Sequence, residues 1–269
     1  MQMVESLKEL NRICQKPRYK EVGNWMVRHM VRDAALPVTW LLLHTNISAN
    51  QVTLASLIIA MSGALCLFGI PKGFFLLGAI LLELWYFLDH VDGQIARYRK
   101  AASLTGRFFD FLTHHIVHGS VFFGLGIYCF RETGVFLFIL WAFIASIGIT
   151  VFNLIHDVKY KTFFERLIET KRVEIKEPAN LEEGAVSEKK HIPKRFFSLI
   201  HKASEIHVVM NVLALAAVLE MAWGVPIALR FWLFLAYGTF APFLAVTKIA
   251  YLIRTRSIDR EYEGLFRES

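Results

Sequence analysis

The stretch from Asp89 to His114, DHVDGQIARYRKAASLTGRFFDFLTH, decides how this chain is read. It sets acidic residues, glycines and arginine at helical spacings between segments apolar enough to lie in a bilayer. An ionised carboxylate at bilayer depth costs on the order of a few kcal/mol unless a cation or water meets it. Asp89, Asp92 and Asp110 are therefore candidate functional residues before anything else is known of the chain.

The sequence around this stretch supplies the bilayer. Of 269 residues, 55% are hydrophobic and 23 are Phe, too apolar a composition for an ordinary soluble domain. Six segments approach the ~20 apolar residues that cross a hydrocarbon core: about 51–69, 73–98, 105–130, 133–157, 206–223 and 228–252. The second and third are the least hydropathic and carry the acidic stretch, as expected of helices lining a wet cavity. The expected fold is all-α: a polytopic membrane protein of six transmembrane helices, preceded by an amphipathic interfacial helix.

Within the second span, Asp89, Asp92, Gly93, Ala96 and Arg97 recur at i, i+3, i+4, i+7 and i+8, which is one helical face. Gly106, Asp110 and His114 share a face of the third span by the same rule. The connection between the two is short, so they are expected to be antiparallel neighbours whose polar faces meet near the cytoplasmic end.

The pattern resembles the signature of the CDP-alcohol phosphotransferase family: Asp, two residues, Asp-Gly, two residues, Ala-Arg, about eight residues, Gly, three residues, Asp, three residues, Asp. Seven of the eight fixed positions match, namely Asp89, Asp92, Gly93, Ala96, Arg97, Gly106 and Asp110; the eighth is His114 where the family has Asp. At roughly one in fifteen per position, chance does not explain seven matches. The resemblance implies transfer of a substituted phosphate from a CDP-linked donor to an acceptor hydroxyl, with release of CMP, in phospholipid synthesis. It also implies a homodimer.

The resemblance implies that Asp89, Asp92 and Asp110 ligate divalent metal, that Gly93 permits close approach of the nucleotide and that Arg97 pairs with phosphate oxygens. Clustered carboxylates suit Mg²⁺ or Mn²⁺, with two ions able to neutralise attacking and leaving oxygens. Ala96 and Gly106 are small residues suited to close helix packing. The family's last Asp acts as general base and lies close enough to help hold metal; at His114 a neutral imidazole can take a proton at neutral pH, and it favours Mn²⁺ over Mg²⁺ as a ligand. Asn50 and Thr53 match part of a Pro-Asn-x-x-Thr pattern, with Ala49 in place of Pro, and are implied to lie near the nucleotide; capping of the first span is the competing reading.

Other polar residues in the spans have plainer readings beside functional ones. His118 extends the Asp110–His114 stripe by a turn and is a candidate partner behind the site or contact for the acceptor, or a packing residue. His115 and His90 read as packing. Glu83 and Lys248 are costly charges that could touch the acceptor or each other, or form structural contacts. Cys14, Cys66 and Cys129 have no CxxC spacing and suggest neither a disulfide framework nor a zinc site.

Outside the spans, residues 1–49 read as a cytoplasmic amphipathic arm without a signal-peptide core, 50–253 as the catalytic domain, and 254–269 as a cytoplasmic tail. Ser48 or Asn50 can cap the first span. The 158–205 loop reads as cytoplasmic, with a mobile charged centre and Phe-bearing flanks resting on the surface. Lys and Arg concentrate in the arm, the 98–104 turn, this loop and the tail, so both termini and the site are expected on the cytoplasmic side. The net charge of +7 follows from that bias and from anionic lipid, and no nucleic-acid module is visible. CDP-diacylglycerol is the favoured donor. The alternatives are a CDP-linked headgroup given to a lipid alcohol, a catalytically impaired homologue that keeps the nucleotide or metal pocket, and a transporter, for which inverted repeats are missing.

Overall fold

Ser48 starts the first long helix with a capping box: its hydroxyl accepts from the Gln51 backbone N–H at 3.3 Å, and its own N–H donates to Gln51 Oε1 at 2.8 Å. Asn50 lies inside that helix and is not its cap. The computed structural model describes residues 4–15, 26–170, 173–175, 205–223 and 229–268. The helices are α1 (Leu7–Cys14), α2 (Arg32–Leu43, entered through a π-turn at Val27–Val31), α3 (Ala49–Cys66), α4 (Lys72–Tyr98), α5 (Leu104–Thr133), α6 (Leu137–Glu169), α7 (Ile206–Trp223), α8 (Leu229–Thr255) and α9 (Ser257–Leu265). One short antiparallel ladder joins β1 (Val173–Ile175) to β2 (Phe266–Glu268), a small addition to an otherwise helical fold.

Four helices, α3, α4, α6 and α8, are long and apolar enough to cross a membrane. The 30-residue α5 has the length, and its motif charges lower its hydropathy; α7 is apolar and shorter. The segments expected from the sequence coincide with these six helices to within a few residues, except that α6 runs to Glu169. The first part of the expected 158–205 loop is thus helix, and its flank FFERLIE is the last turns of α6. Of the expected mobile centre, 171–193, Val173–Ile175 forms β1, and its other residues, with the second flank, lie outside the described residues.

The packing order corrects one expectation. Although α4 and α5 follow each other through a short turn, they make almost no close backbone contact; each packs on α3, α4 also on α7, and α5 on α6. Small residues set this arrangement. A Cβ placed at Gly78 of α4 would lie 2.9 Å from the Gly63 carbonyl oxygen of α3, and one at Gly124 of α5 would lie 2.7 Å from the carbonyl of the neighbouring Ala64. One turn of α3 therefore holds both motif helices at backbone distance. The turn between them closes with Lys100 in the left-handed region (φ 50) and the Ala101 N–H donating to the Ala96 carbonyl at 2.9 Å.

The N-terminal arm is not one continuous amphipathic helix. It folds into α1, the π-turn and α2, and Leu10, Cys14, Ala35, Leu36 and Leu43 are buried with Val52 of α3 and Val91 and Ile95 of α4. Gln94 stitches the arm to α4: its Oε1 accepts from Thr39 Oγ1 at 2.6 Å and its Nε2 donates to the Arg32 carbonyl at 2.9 Å. At the chain's other end, α9 folds back on α6 through Lys159–Glu261 at 2.7 Å and the edge-to-face contact of Phe163 with Tyr262.

Candidate functional site

Helical spacing places Asp89 and Asp92 a turn apart on α4, and Asp110 and His114 a turn apart on α5. The gap between the two helices is closed by side chains alone. His114 Nε2 lies 2.9 Å from Asp89 Oδ1 and 3.6 Å from Asp110 Oδ1, and the Trp85 ring packs edge-on against the imidazole at 5.1 Å. One donor atom from each of Asp89, Asp110 and His114 falls within 4.8 Å of the others. Two carboxylate oxygens and one imidazole nitrogen at that separation are a donor set that fits a divalent cation.

Asp92 stands slightly apart. It is 7% exposed, and its Oδ2 accepts a 2.6 Å hydrogen bond from Thr53 Oγ1 of α3. Asp89 and Asp110 remain within electrostatic range of it, so three carboxylates share one region with the His114 imidazole, and His90 Nδ1 lies 3.9 Å from Asp89 Oδ2. Thr53, singled out by sequence, is thereby brought to the site as the group that orients Asp92. Asn50 is brought to the start of α5, where its Oδ1 would be 3.3 Å from a Cβ at Gly106. Gly106 also receives the Ser103 cap, its N–H donating to Ser103 Oγ at 3.0 Å, so the small residue permits α5 to begin close to α3.

Arg97 lies near the C-terminal end of α4, and its Nε donates to the backbone carbonyl of Cys14, the last residue of α1. Its guanidinium folds over Gly93, where an added Cβ would sit 3.1 Å from Nη1. Gly93 thus makes room for Arg97 itself. Ala96 is half-buried on the same helix. The Cys14 thiol is fully buried and burial pushes it up to about 11, so it stays protonated at neutral pH.

The histidines beyond His114 are more engaged than packing alone requires. His115 Nε2 meets Asp157 Oδ2 of α6 at 2.8 Å, which replaces the expectation that it merely packs. His118 is buried, one turn deeper than His114, with Asn153 Nδ2 of α6 at 2.7 Å from its Nδ1. His90 bonds the Tyr86 carbonyl within its own helix. Glu83 and Lys248 do not meet: Lys248 lies over the Phe152 ring at 4.3 Å, and Glu83 Oε1 is buried with no hydrogen-bond partner among the described residues. Arg230, in the first turn of α8, is buried against Glu220, with Nη1 donating to the Gly69 carbonyl at 2.6 Å. Trp85, four residues before Asp89, shares its helical face, a signal that could have found it; no local pattern marks Gln94, Asn153 or Asp157.

Residues 46–173 match the family model of CDP-alcohol phosphatidyltransferase, a range that holds Asn50, Thr53 and every residue of the carboxylate cluster. A phosphatidylinositol phosphate synthase of Streptomyces avermitilis is 32% identical over 109 residues, which are 40% of this chain and 44% of that protein. The match therefore spans less than half of that relative's length. The crystal structure of Mycobacterium tuberculosis phosphatidylinositol phosphate synthase with CDP-DAG bound superimposes with a TM-score of 0.55 at 16% identity, covering 82% of this chain and 92% of that one. That likeness shows a shared fold.

Proposed function

Because residues 46–173 match the family model of CDP-alcohol phosphatidyltransferase, we propose that the chain is a member of that family and transfers a phosphatidyl group from CDP-diacylglycerol to a hydroxyl-bearing acceptor, releasing CMP, in phospholipid synthesis. The observation that carries this reading is the convergence of Asp89, Asp110 and His114 within 4.8 Å, beside a Thr53-oriented Asp92. Asp89, Asp92 and Asp110 would hold divalent ions, Mg²⁺ or Mn²⁺, two of them by analogy with the family. Bound there, such ions supply charge neutralisation at the attacking and leaving oxygens.

The chain's own residues position the reactants. The acceptor oxygen bonds to the phosphatidyl phosphorus as the bond from that phosphorus to the CMP oxygen breaks, and CMP leaves with the electron pair. Arg97 pairs with phosphate oxygens through the guanidinium nitrogens that its bond to Cys14 leaves available, and Gly93 provides the space. His114 Nε2–H donates to Asp89 Oδ1 and the Trp85 edge packs on the ring, so in this role His114 takes the acceptor's proton at its other nitrogen, Nδ1. A second reading has specific support: Nε2 points between two carboxylates as a metal ligand would. One lone pair cannot serve both roles at once, and the two readings separate by metal preference.

The proposal extends to topology: six spans, α3 to α8, with α5 and α7 as the less hydropathic and shorter members; the arm resting at the inner interface; both termini and the site cytoplasmic; and a homodimeric assembly. The acceptor class follows the relative matched in sequence, so inositol and its monophosphate head the panel. Purified protein offered CDP-diacylglycerol, Mn²⁺ or Mg²⁺, and glycerol, inositol or their monophosphates should release CMP, and chelation or Asp110→Asn should stop it. Absence of CMP with every acceptor and metal, from protein that binds CDP-diacylglycerol, supports instead a catalytically impaired homologue.

A further inference from the structure

Asn153 and His118 define a group that the transfer reading leaves unassigned. Asn153 Nδ2 lies 3.0 Å from the Ile149 carbonyl oxygen and 2.7 Å from His118 Nδ1. A backbone carbonyl only accepts, so the atom facing it is the amide nitrogen, which fixes the orientation of the Asn153 amide. The second hydrogen on that nitrogen is then directed at Nδ1, which must accept it. An imidazole whose Nδ1 accepts carries its proton on Nε2.

Nε2 is therefore an N–H donor, and it is buried without a partner among the described residues, on a side chain 7% exposed. A buried donor left unpaired costs about 1–3 kcal/mol, which is expected where a ligand supplies the missing acceptor. The ring nitrogens diverge, so with Nδ1 turned to α6, Nε2 is turned away from α6. His118 lies one turn below His114 on the same stripe, and the two rings meet at 6.3 Å, nearly perpendicular.

We propose that His118 Nε2–H is a fixed hydrogen-bond donor to an uncharged oxygen of the acceptor alcohol, held in its donating tautomer by Asn153. His118 would thus act as an acceptor-binding residue and Asn153 as a positioning residue. The inference rests on the transferase reading above, and its first test does not require activity.

In ¹⁵N-histidine-labelled protein, long-range proton–nitrogen correlation should show His118 with Nε2 protonated and Nδ1 bare; a protonated Nδ1 in the wild-type protein overturns the proposal. Asn153→Asp replaces the amide donor by a carboxylate, which should flip the tautomer, and His118→Phe removes the donor while filling its volume. With CDP-diacylglycerol saturating, and glycerol, inositol and their monophosphates as acceptors, both variants should raise the acceptor KM about tenfold or more, leaving the CDP-diacylglycerol KM unchanged. An unchanged acceptor KM in His118→Phe, or equal losses for both substrates, overturns it. Failure of the wild-type protein to release CMP would sink the transferase reading with the tautomer result still standing.

Discussion

Thr53 Oγ1 donates to Asp92 Oδ2 across the α3–α4 interface at 2.6 Å, and the same hydroxyl also reaches the Ala49 carbonyl at 3.1 Å. A residue outside the acidic signature therefore fixes one of its carboxylates. Thr53→Val keeps the volume and removes the donor, leaving Asp92 buried with an unmet oxygen. Turnover, followed as CMP release, should fall about 10- to 100-fold, while Thr53→Ser stays close to wild type. Equal rates for Thr53→Val and the wild-type protein would show that Asp92 needs no such support.

His114 separates the base and ligand readings. His114→Ala should lower CMP release by about 10²–10⁴ if the imidazole transfers the proton. Restoring the carboxylate with His114→Asp should recover most turnover and move the preference from Mn²⁺ towards Mg²⁺ if the ring is a ligand. Full turnover in both variants would remove His114 from the site.

The α3 contacts predict a stability effect remote from the chemistry. A Cβ at Gly124 would meet the Ala64 carbonyl at 2.7 Å and Leu67 Cβ at 3.2 Å, whereas one at Gly73 meets nothing within 4 Å. Gly124→Ala should destabilise the protein by about 1–3 kcal/mol, read as a lower unfolding temperature in detergent. Gly73→Ala should unfold with the wild type, and matching temperatures for both variants would argue against the close crossing.

Cys14 reports whether the arm is docked. Its thiol, pushed up to about 11 by burial, is almost wholly protonated at pH 8. In an exposed position it would return to its ordinary value of 9.0 and ionise on the order of a hundredfold more. Maleimide labelling of Cys14 should therefore be slow in the folded protein and fast in Leu10→Asp, which places a charge in the buried arm contact. Rapid labelling of the folded wild type would contradict the docked arm.

The sequence reveals what rare residues encode. Carboxylates at helical spacing in apolar segments announce Asp89, Asp92 and Asp110 because lipid penalises them, and Ser48 announces a helix start because few residues satisfy the first N–H groups. Hydropathy, however, measures contact with lipid and not helicity, so the charged end of α6 read as loop although the helix continues to Glu169. Short connections suggested that α4 and α5 are neighbours, but Gly63 and Ala64 let α3 take both partners. Pairings such as His118–Asn153 and His115–Asp157 join distant positions by a contact that no local pattern carries. The arm was harder still: Gln94 and the Cys14 carbonyl matter through the surface they meet.

The ladder that pairs Val173 with Glu268 and Ile175 with Phe266 draws α7, α8 and α9 into one closed loop of chain. Closing so long a loop costs entropy that grows only slowly with its length, and Lys159–Glu261 and the Phe163–Tyr262 contact help offset it. The last residues thus act as a clasp on the second half of the bundle. A purification tag fused after Ser269 would load that clasp directly, so it belongs at the other end of the chain or beyond a flexible spacer.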